Sequence, residues 1–274
     1  MRFALKILYL GSRYHGWQRQ PNVVTVESVV LKALTKTKTL TDLNKGKYGY
    51  ASRTDAFVHG LSQIVAFNAL EVPDVNQIND LLPSDICVLG LCPVASSFHP
   101  RYDFYHKTYR YLAPYAQEDL TNIKKAAQSL KGTHDFSSFV KSRPNRSNIT
   151  TITDIAINKK GNILIFDFSS SRGFLWQQVR RMVTFFISCG QGEIFPNEIT
   201  EYLKVTKLPK VPPASPHRLI LLKVSFPGLF FEPLPEAISK FCRYLDSGIP
   251  HTLTPSEVIS EFKNYLDKPT SSVQ

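Results

Sequence analysis

The sequence predicts an α/β (α+β) protein built from two ferredoxin-like βαββαβ halves that share a mixed or antiparallel sheet with a central cleft. Three observations carry that prediction. The order strand, helix, two strands, helix, strand can be read twice along the chain. The apolar positions switch repeatedly between a period of two and the i, i+3, i+4 stripe of a helix. Hydrophobic residues make up 43% and charged residues 20% of 274, enough apolar material for a core and too much for a disordered tail, a collagen-like fibre or a low-complexity linker.

Residues 3–10 form a short apolar run closed by Gly11, the pattern of a buried strand. Thr25 is a candidate N-cap, and Val26, Val29, Val30, Ala33 and Leu34 then fall on one helical face. Two strands are expected at 47–51 and 63–68, then a helix over 74–82 ended by Pro83, then a strand at 86–92. The second half repeats the order with a strand at 105–113 and a helix marked by Ile123, Ala126, Ala127 and Leu130. A hairpin over 150–158 and 162–170 turns at Lys159-Lys160-Gly161. A helix along Leu175, Val179, Met182, Val183 and Phe186 and a strand at 219–226 complete it. No residue-by-residue repeat links the halves. The joint is set at 93–100, giving halves 1–98 and 99–226 and an extension 227–274 in which Val258, Ile259, Phe262 and Leu266 predict one further helix. The Pro-rich stretch 209–216 reads as a loop.

Lys and Arg number 33 against 22 Asp and Glu, a net charge of +11. Such an excess attracts polyanions, nucleic acid foremost, although a solubility surface has the same signature. Cys87, Cys92, Cys189 and Cys242 form no CxxC pair or other zinc spacing and read as small hydrophobes of a reducing compartment. The apolar start is broken by Lys6 and ends at Gly11, too short for a signal-peptide core or a membrane span, so a soluble cytoplasmic protein is expected.

Four segments have the residue types for chemistry. Between two strands lies Ser52-Arg53-Thr54-Asp55-Ala56-Phe57-Val58-His59-Gly60, where a carboxylate beside an arginine can stay ionised as a nucleophile or base. An ordinary Asp-capped turn gives the same pattern. Along the expected strand from Tyr105, Lys107, Tyr109 and Tyr111 share one face while His106, Thr108 and Arg110 share the other. Rings mixed with cations suit stacked bases and phosphates, or an edge strand with its tyrosines in the core. In the helix after Phe174, Arg180 flanks the apolar stripe, so its guanidinium reaches a cleft to pair with a carboxylate or merely snorkels. The loop Tyr14-His15-Gly16-Trp17-Gln18-Arg19-Gln20-Pro21 either contacts RNA backbone or plugs the core with Trp17.

Taken together, Tyr14 to Gln20, Arg53-Thr54-Asp55 with Val58-His59, Lys107-Thr108-Tyr109-Arg110-Tyr111, Gly132-Thr133-His134-Asp135-Phe136 with Phe139, and Phe174-Leu175 with Val179-Arg180 resemble the TruA family of tRNA pseudouridine synthases, in family order. The resemblance implies isomerisation of uridine to pseudouridine at positions 38 to 40 of the tRNA anticodon stem-loop, by a homodimer, with no cofactor and no metal. It assigns the essential aspartate to Asp55, the active-site tyrosine to Tyr109 and the arginine that pairs with the aspartate to Arg180. Arg53, Gln18, Gln20, His59, Lys107 and Arg110 are the RNA-binding candidates, with Lys141, Arg143 and Arg146 as further phosphate contacts. One departure stands out: Phe57 occupies a position where the family usually has glycine, and Gly60 one where it commonly has alanine. Phe57 makes a catalytically silent RNA-binding module of the same fold the alternative. A hydrolase using Asp55 ranks below both, because no Ser-His-Asp order or paired carboxylate accompanies it.

Overall fold

A computed structural model describes residues 1–141, 146–204 and 210–267. The chain divides into two units, one formed by 1–105 together with the segment from 220 onward, the other by 106–219.

In the first unit, β1 (Arg2–Tyr9), α1 (Val26–Lys36), β2 (Gly49–Tyr50), β3 (His59–Asn68), α2 (Val75–Leu81) and β4 (Ile86–Pro93) follow the expected βαββαβ order. The strands lie as β4-β1-β3-β2, each neighbour antiparallel, which is the split βαβ arrangement. All eight residues of β1 are buried, as a strand with neighbours on both edges requires. Thr25 caps α1 by accepting from the Ser28 amide, and Ser28 returns a bond to the Thr25 amide. Asp74 caps α2 through the amides of Asn76 and Gln77. Pro83 keeps Leu82 out of the helical region, at ψ 143°, and ends that helix. Trp17 is fully buried between Tyr9 and Tyr50, at ring separations of 5.7 and 6.0 Å, so it plugs the core.

The second unit contains β5 (His106–Pro114), α3 (Leu120–Ser129), β6 (Gly132–Asp135), β7 (Ile149–Ile152), β8 (Asp154–Lys160), β9 (Ile163–Ser170), α4 (Gln178–Gly190) and the short α5 (Ile199–Lys204). Its sheet runs β5-β9-β8, antiparallel throughout, and β6 pairs with β7 apart from it. The hairpin turns at Gly161, whose φ of +56° suits the position. Two expectations are corrected here. The strand foreseen over 150–158 is interrupted at Thr153, leaving β7 to pair with β6 and β8 with β9. The helix foreseen from Leu175 begins at Gln178, because Gln177 sits at φ +62°.

The last strand, β10 (Leu219–Ser225), was assigned by sequence to the second half. Its residues from Ile220 belong instead to the first unit, where Ile220 and Leu221 pair in parallel with His59 and Gly60 and make that sheet mixed. The extension belongs to the first unit as well, and its described residues hold two α-helices, α6 (Pro235–Asp246) and α7 (Ser256–Leu266), where one was expected. Prolines at 227, 233 and 235 make the start of α6 look like a loop, yet Pro235 stands at the first helical position, where its missing N–H costs nothing. Phe241 of α6 and Phe262 of α7 stack at 6.1 Å and seal the pair. No described helix is long and apolar enough to cross a membrane. Cys87 and Cys189 are buried, as the small-hydrophobe reading requires, whereas Cys92 and Cys242 are only partly so.

Candidate active site

Asp55 lies in the connection between β2 and β3, partly exposed, on a loop held by backbone on both sides. The Trp17 amide donates to the Thr54 carbonyl at 3.1 Å, and the Phe57 amide donates to the Tyr14 carbonyl at 3.0 Å. Gly16, at φ +87°, presses against the same loop, and a Cβ there would lie 2.7 Å from the Thr54 oxygen and 3.0 Å from the Asp55 carbonyl carbon. Tyr9 and Thr54 share a hydroxyl hydrogen bond of 2.8 Å beneath it. Aspartate is therefore presented from a loop fixed by main-chain bonds, the kind of support that holds a reactive group in one geometry. Phe57 takes φ +68°, so the loop keeps the left-handed turn that a glycine would supply, and its ring rests 5.9 Å from that of His15.

The neighbours of Asp55 divide in role. Arg53 is exposed, with Nε donating to the Tyr50 hydroxyl at 3.1 Å. Arg53 and Arg19 both counter the buried Glu27 carboxylate, whose pKa burial raises and these charges lower. Gln18 and Gln20 are exposed, and Gln20 spends its amide on the His15 carbonyl at 2.9 Å. His59 corrects its expectation. It is fully buried, its Nδ1 accepts the Gly11 amide at 3.1 Å, and its ring meets the edge of Phe262. Such burial leaves it no face for RNA.

In the second unit, Lys107, Tyr109 and Tyr111 share the buried face of β5, as the alternation predicts. Tyr109 is 8% exposed and stands edge-on to Phe174 at 5.3 Å. Lys107, on the same face, is 6% exposed. Arg110 grips Asp167, its register partner on β9, through bonds of 2.8 and 2.6 Å, a cross-strand tie that leaves its side chain about one-fifth exposed. Arg180 is buried on α4, with Nε donating to the Ala214 carbonyl at 2.6 Å. The Ala214 amide returns a bond to the Arg180 carbonyl, so Ala214 holds this residue through both its backbone and its side chain. Arg180 also helps hold down the pKa of His217 and Arg181, after burial, so positive charge gathers at this end of α4. Lys141 and Arg146 are exposed, and the Lys141 ammonium sits 4.4 Å from the centre of the Trp176 ring. Arg143 lies outside the described residues.

Two participants escaped the sequence reading. Asp85 is 1% exposed immediately before β4, and one oxygen accepts the Tyr14 hydroxyl at 2.6 Å. Tyr14 stands out in the sequence only as part of the Tyr14–Pro21 loop, and Asp85 does not stand out there at all. Nothing in a sequence ties two positions 71 residues apart.

Residues 126–227 match the family model described as tRNA pseudouridine synthase. A relative named tRNA pseudouridine synthase A, from Thermococcus kodakarensis, is 34% identical over 265 residues, covering 96% of this chain and 98% of its own. The chain belongs to the tRNA pseudouridine synthase A family. Relatives of the same name from Methanothermobacter thermautotrophicus and Pyrococcus abyssi are 38% identical over 226 residues and 36% identical over 249. They cover 82% and 90% of this chain, and 81% and 92% of their own lengths. Among solved structures, the Cbf5 complex titled "Crystal Structure of a Cbf5-Nop10-Gar1 Complex" matches 68% of this chain and 45% of its own at 14% identity and a TM-score of 0.35, too remote to bear on fold or function. Membership makes this tRNA pseudouridine synthase an isomerase that converts uridine in tRNA to pseudouridine. Phe57, on which the silent-module alternative rests, holds the left-handed conformation that glycine adopts at little cost.

Proposed function

We propose that Asp55 is the catalytic carboxylate of this synthase and that its substrate is a uridine at positions 38 to 40 of the tRNA anticodon stem-loop. The observation that carries the reading is the doubly clamped Thr54–Phe57 loop, which fixes the backbone on both sides of Asp55. The reaction breaks the bond between C1′ and N1, turns the uracil and joins C1′ to C5. N1 then gains a proton and C5 loses one. Asp55 can serve by attacking C1′, by attacking C6, or by taking the C2′ proton to give a glycal, and each route needs an ionised carboxylate at the ribose.

Arg180 is assigned as the guanidinium that pairs with Asp55 and favours its charged form. Tyr109 is assigned to stack on the uracil and help remove the C5 proton, its ring steadied by Phe174. A stem uridine must leave its stack to react, and exposed Arg53 is the side chain assigned to the gap it leaves. Gln18, Lys141 and Arg146 remain as exposed RNA contacts, joined by Gln20 through the amide hydrogen not given to His15. The enzyme acts in the cytoplasm as a homodimer whose subunits together hold the tRNA.

The test is a pseudouridine map of one tRNA by carbodiimide-dependent primer-extension stops. Wild-type protein should give stops confined to uridines 38 to 40 and Asp55→Ala none. Product from Asp55→Ala at the wild-type rate would remove the aspartate from its role, and stops confined to another arm would move the substrate site.

A further inference from the structure

Tyr14 spans three layers of the first unit. Its hydroxyl donates to the Asp85 carboxylate at 2.6 Å, its ring is 4% exposed within the core, and its carbonyl accepts the Phe57 amide at 3.0 Å. Around it, the His15 amide donates to Val24, and Gly16 and Trp17 accept the amides of Val26 and Glu27, so the same short segment also grips the start of α1. One residue therefore ties the Asp85 carboxylate, through its side chain, to the loop carrying Asp55, through its carbonyl.

The far end of this strut is built with care that packing alone does not require. Asp85 places one oxygen on Tyr14 and leaves the other without a hydrogen bond, 3.6 Å from the mostly exposed Arg13 guanidinium. Leu10 donates its amide to the Asp85 carbonyl at 2.9 Å, which fixes the backbone that carries the carboxylate. From the extension, Tyr244 of α6 lies close enough to Arg13 and Asp85 for both charges to act on its hydroxyl, and Thr254 bonds Ser12 at 2.8 Å. A phenylalanine at 14 would fill the core equally well, whereas only a hydroxyl sets the angle of the side chain against a fixed acceptor.

We infer that the Tyr14–Asp85 hydrogen bond positions the Asp55 loop for catalysis, with Tyr14 and Asp85 acting as positioning residues that touch no substrate. The inference rests on the reading of Asp55 as the catalytic carboxylate. Misplacing a reactive group by about 1 Å can cost up to ~100-fold in rate, so loss of one directing bond should lower kcat while leaving the tRNA-binding surface intact.

Single-turnover rates and tRNA KM for Tyr14→Phe, Asp85→Ala and Asp85→Asn, measured well below each variant's unfolding temperature, test it. Tyr14→Phe and Asp85→Ala should each reduce kcat by about tenfold with KM within about twofold of wild type. Asp85→Asn keeps an acceptor for the hydroxyl and should recover kcat to within about threefold. The Tyr14→Phe, Asp85→Ala double variant should be no slower than the slower single variant, because both remove the same bond. A purely structural role predicts lowered unfolding temperature with kcat unchanged, and that result for Tyr14→Phe overturns the inference, as does additive loss in the double variant. Should Asp85→Ala not fold, the pair Tyr14→Phe and Asp85→Asn decides the matter by the same criteria. Asp55→Ala runs alongside. If it is inactive while Tyr14→Phe keeps full kcat, the inference alone fails. If it is active, the reading of Asp55 fails and carries the inference with it.

Discussion

Phe57 holds its backbone at φ +68°, a region that costs a residue with a Cβ about 1–2 kcal/mol and glycine almost nothing. That cost is sustained because the Phe57 amide is bound to Tyr14 and the following Val58 amide to the Asp55 carbonyl at 3.2 Å. Removing the ring in two ways separates backbone from packing. Phe57→Ala and Phe57→Gly both lose the contact with His15, but only glycine is relieved of the turn. Phe57→Gly should therefore be more stable than Phe57→Ala by about 1 kcal/mol in denaturant unfolding, the reverse of the order in ordinary secondary structure. An alanine variant at least as stable as the glycine variant would show that the folded loop does not hold this turn. Phe57 in sequence looked like a break with the family pattern. In the fold it holds a left-handed turn that glycine would make at lower cost.

At the scale of elements, legibility followed periodicity. The capped helices α1 and α2 and the buried strands β1 and β4 were readable because their apolar spacing and cap residues are local properties. The first-unit strand order followed from the βαββαβ sequence. What escaped depends on distant partners or on punctuation: β10 crosses to pair with His59 and Gly60, and α6 hides behind its own starting proline. Of the candidate site, Asp55 was legible as a carboxylate on a strand-bounded loop. The burial of His59 and Lys107 was not, since polar residues on strands read as surface. Arg110 is the clearest case, because its partner Asp167 is 57 residues away and only the β5–β9 register brings them together. Both side chains are about one-fifth exposed, so solvent weakens the pair without abolishing it. A double-mutant cycle between Arg110→Ala and Asp167→Ala should give a coupling of about 1 kcal/mol in unfolding free energy, falling as salt is raised. A coupling near zero would show that the pair is no structural tie.

Over the whole molecule, the positive charge is unevenly placed. Residues 106–219 hold 17 Lys and Arg against 8 Asp and Glu, a net of +9, whereas the rest of the chain holds 16 against 14, a net of +2. A polyanion such as tRNA is attracted mainly by the second unit, while the loop proposed to act on it lies in the first. Each phosphate neutralised contributes about 0.7–0.9 to the slope of log affinity against log salt, so several contacts should weaken binding by at least about tenfold between roughly 50 and 200 mM salt. Replacing exposed Lys141, Arg146 and Arg172 with glutamine should flatten that slope by about 2 and weaken binding most at low salt. The matched replacement of exposed Lys32, Lys36 and Lys38 in the first unit should change the slope by less than about 1. Filter-binding titrations across the salt series measure both. Equal flattening from the two triple variants would mean that the charge acts as a general surface property, and an affinity indifferent to salt would remove phosphate contacts from the account of how tRNA is held.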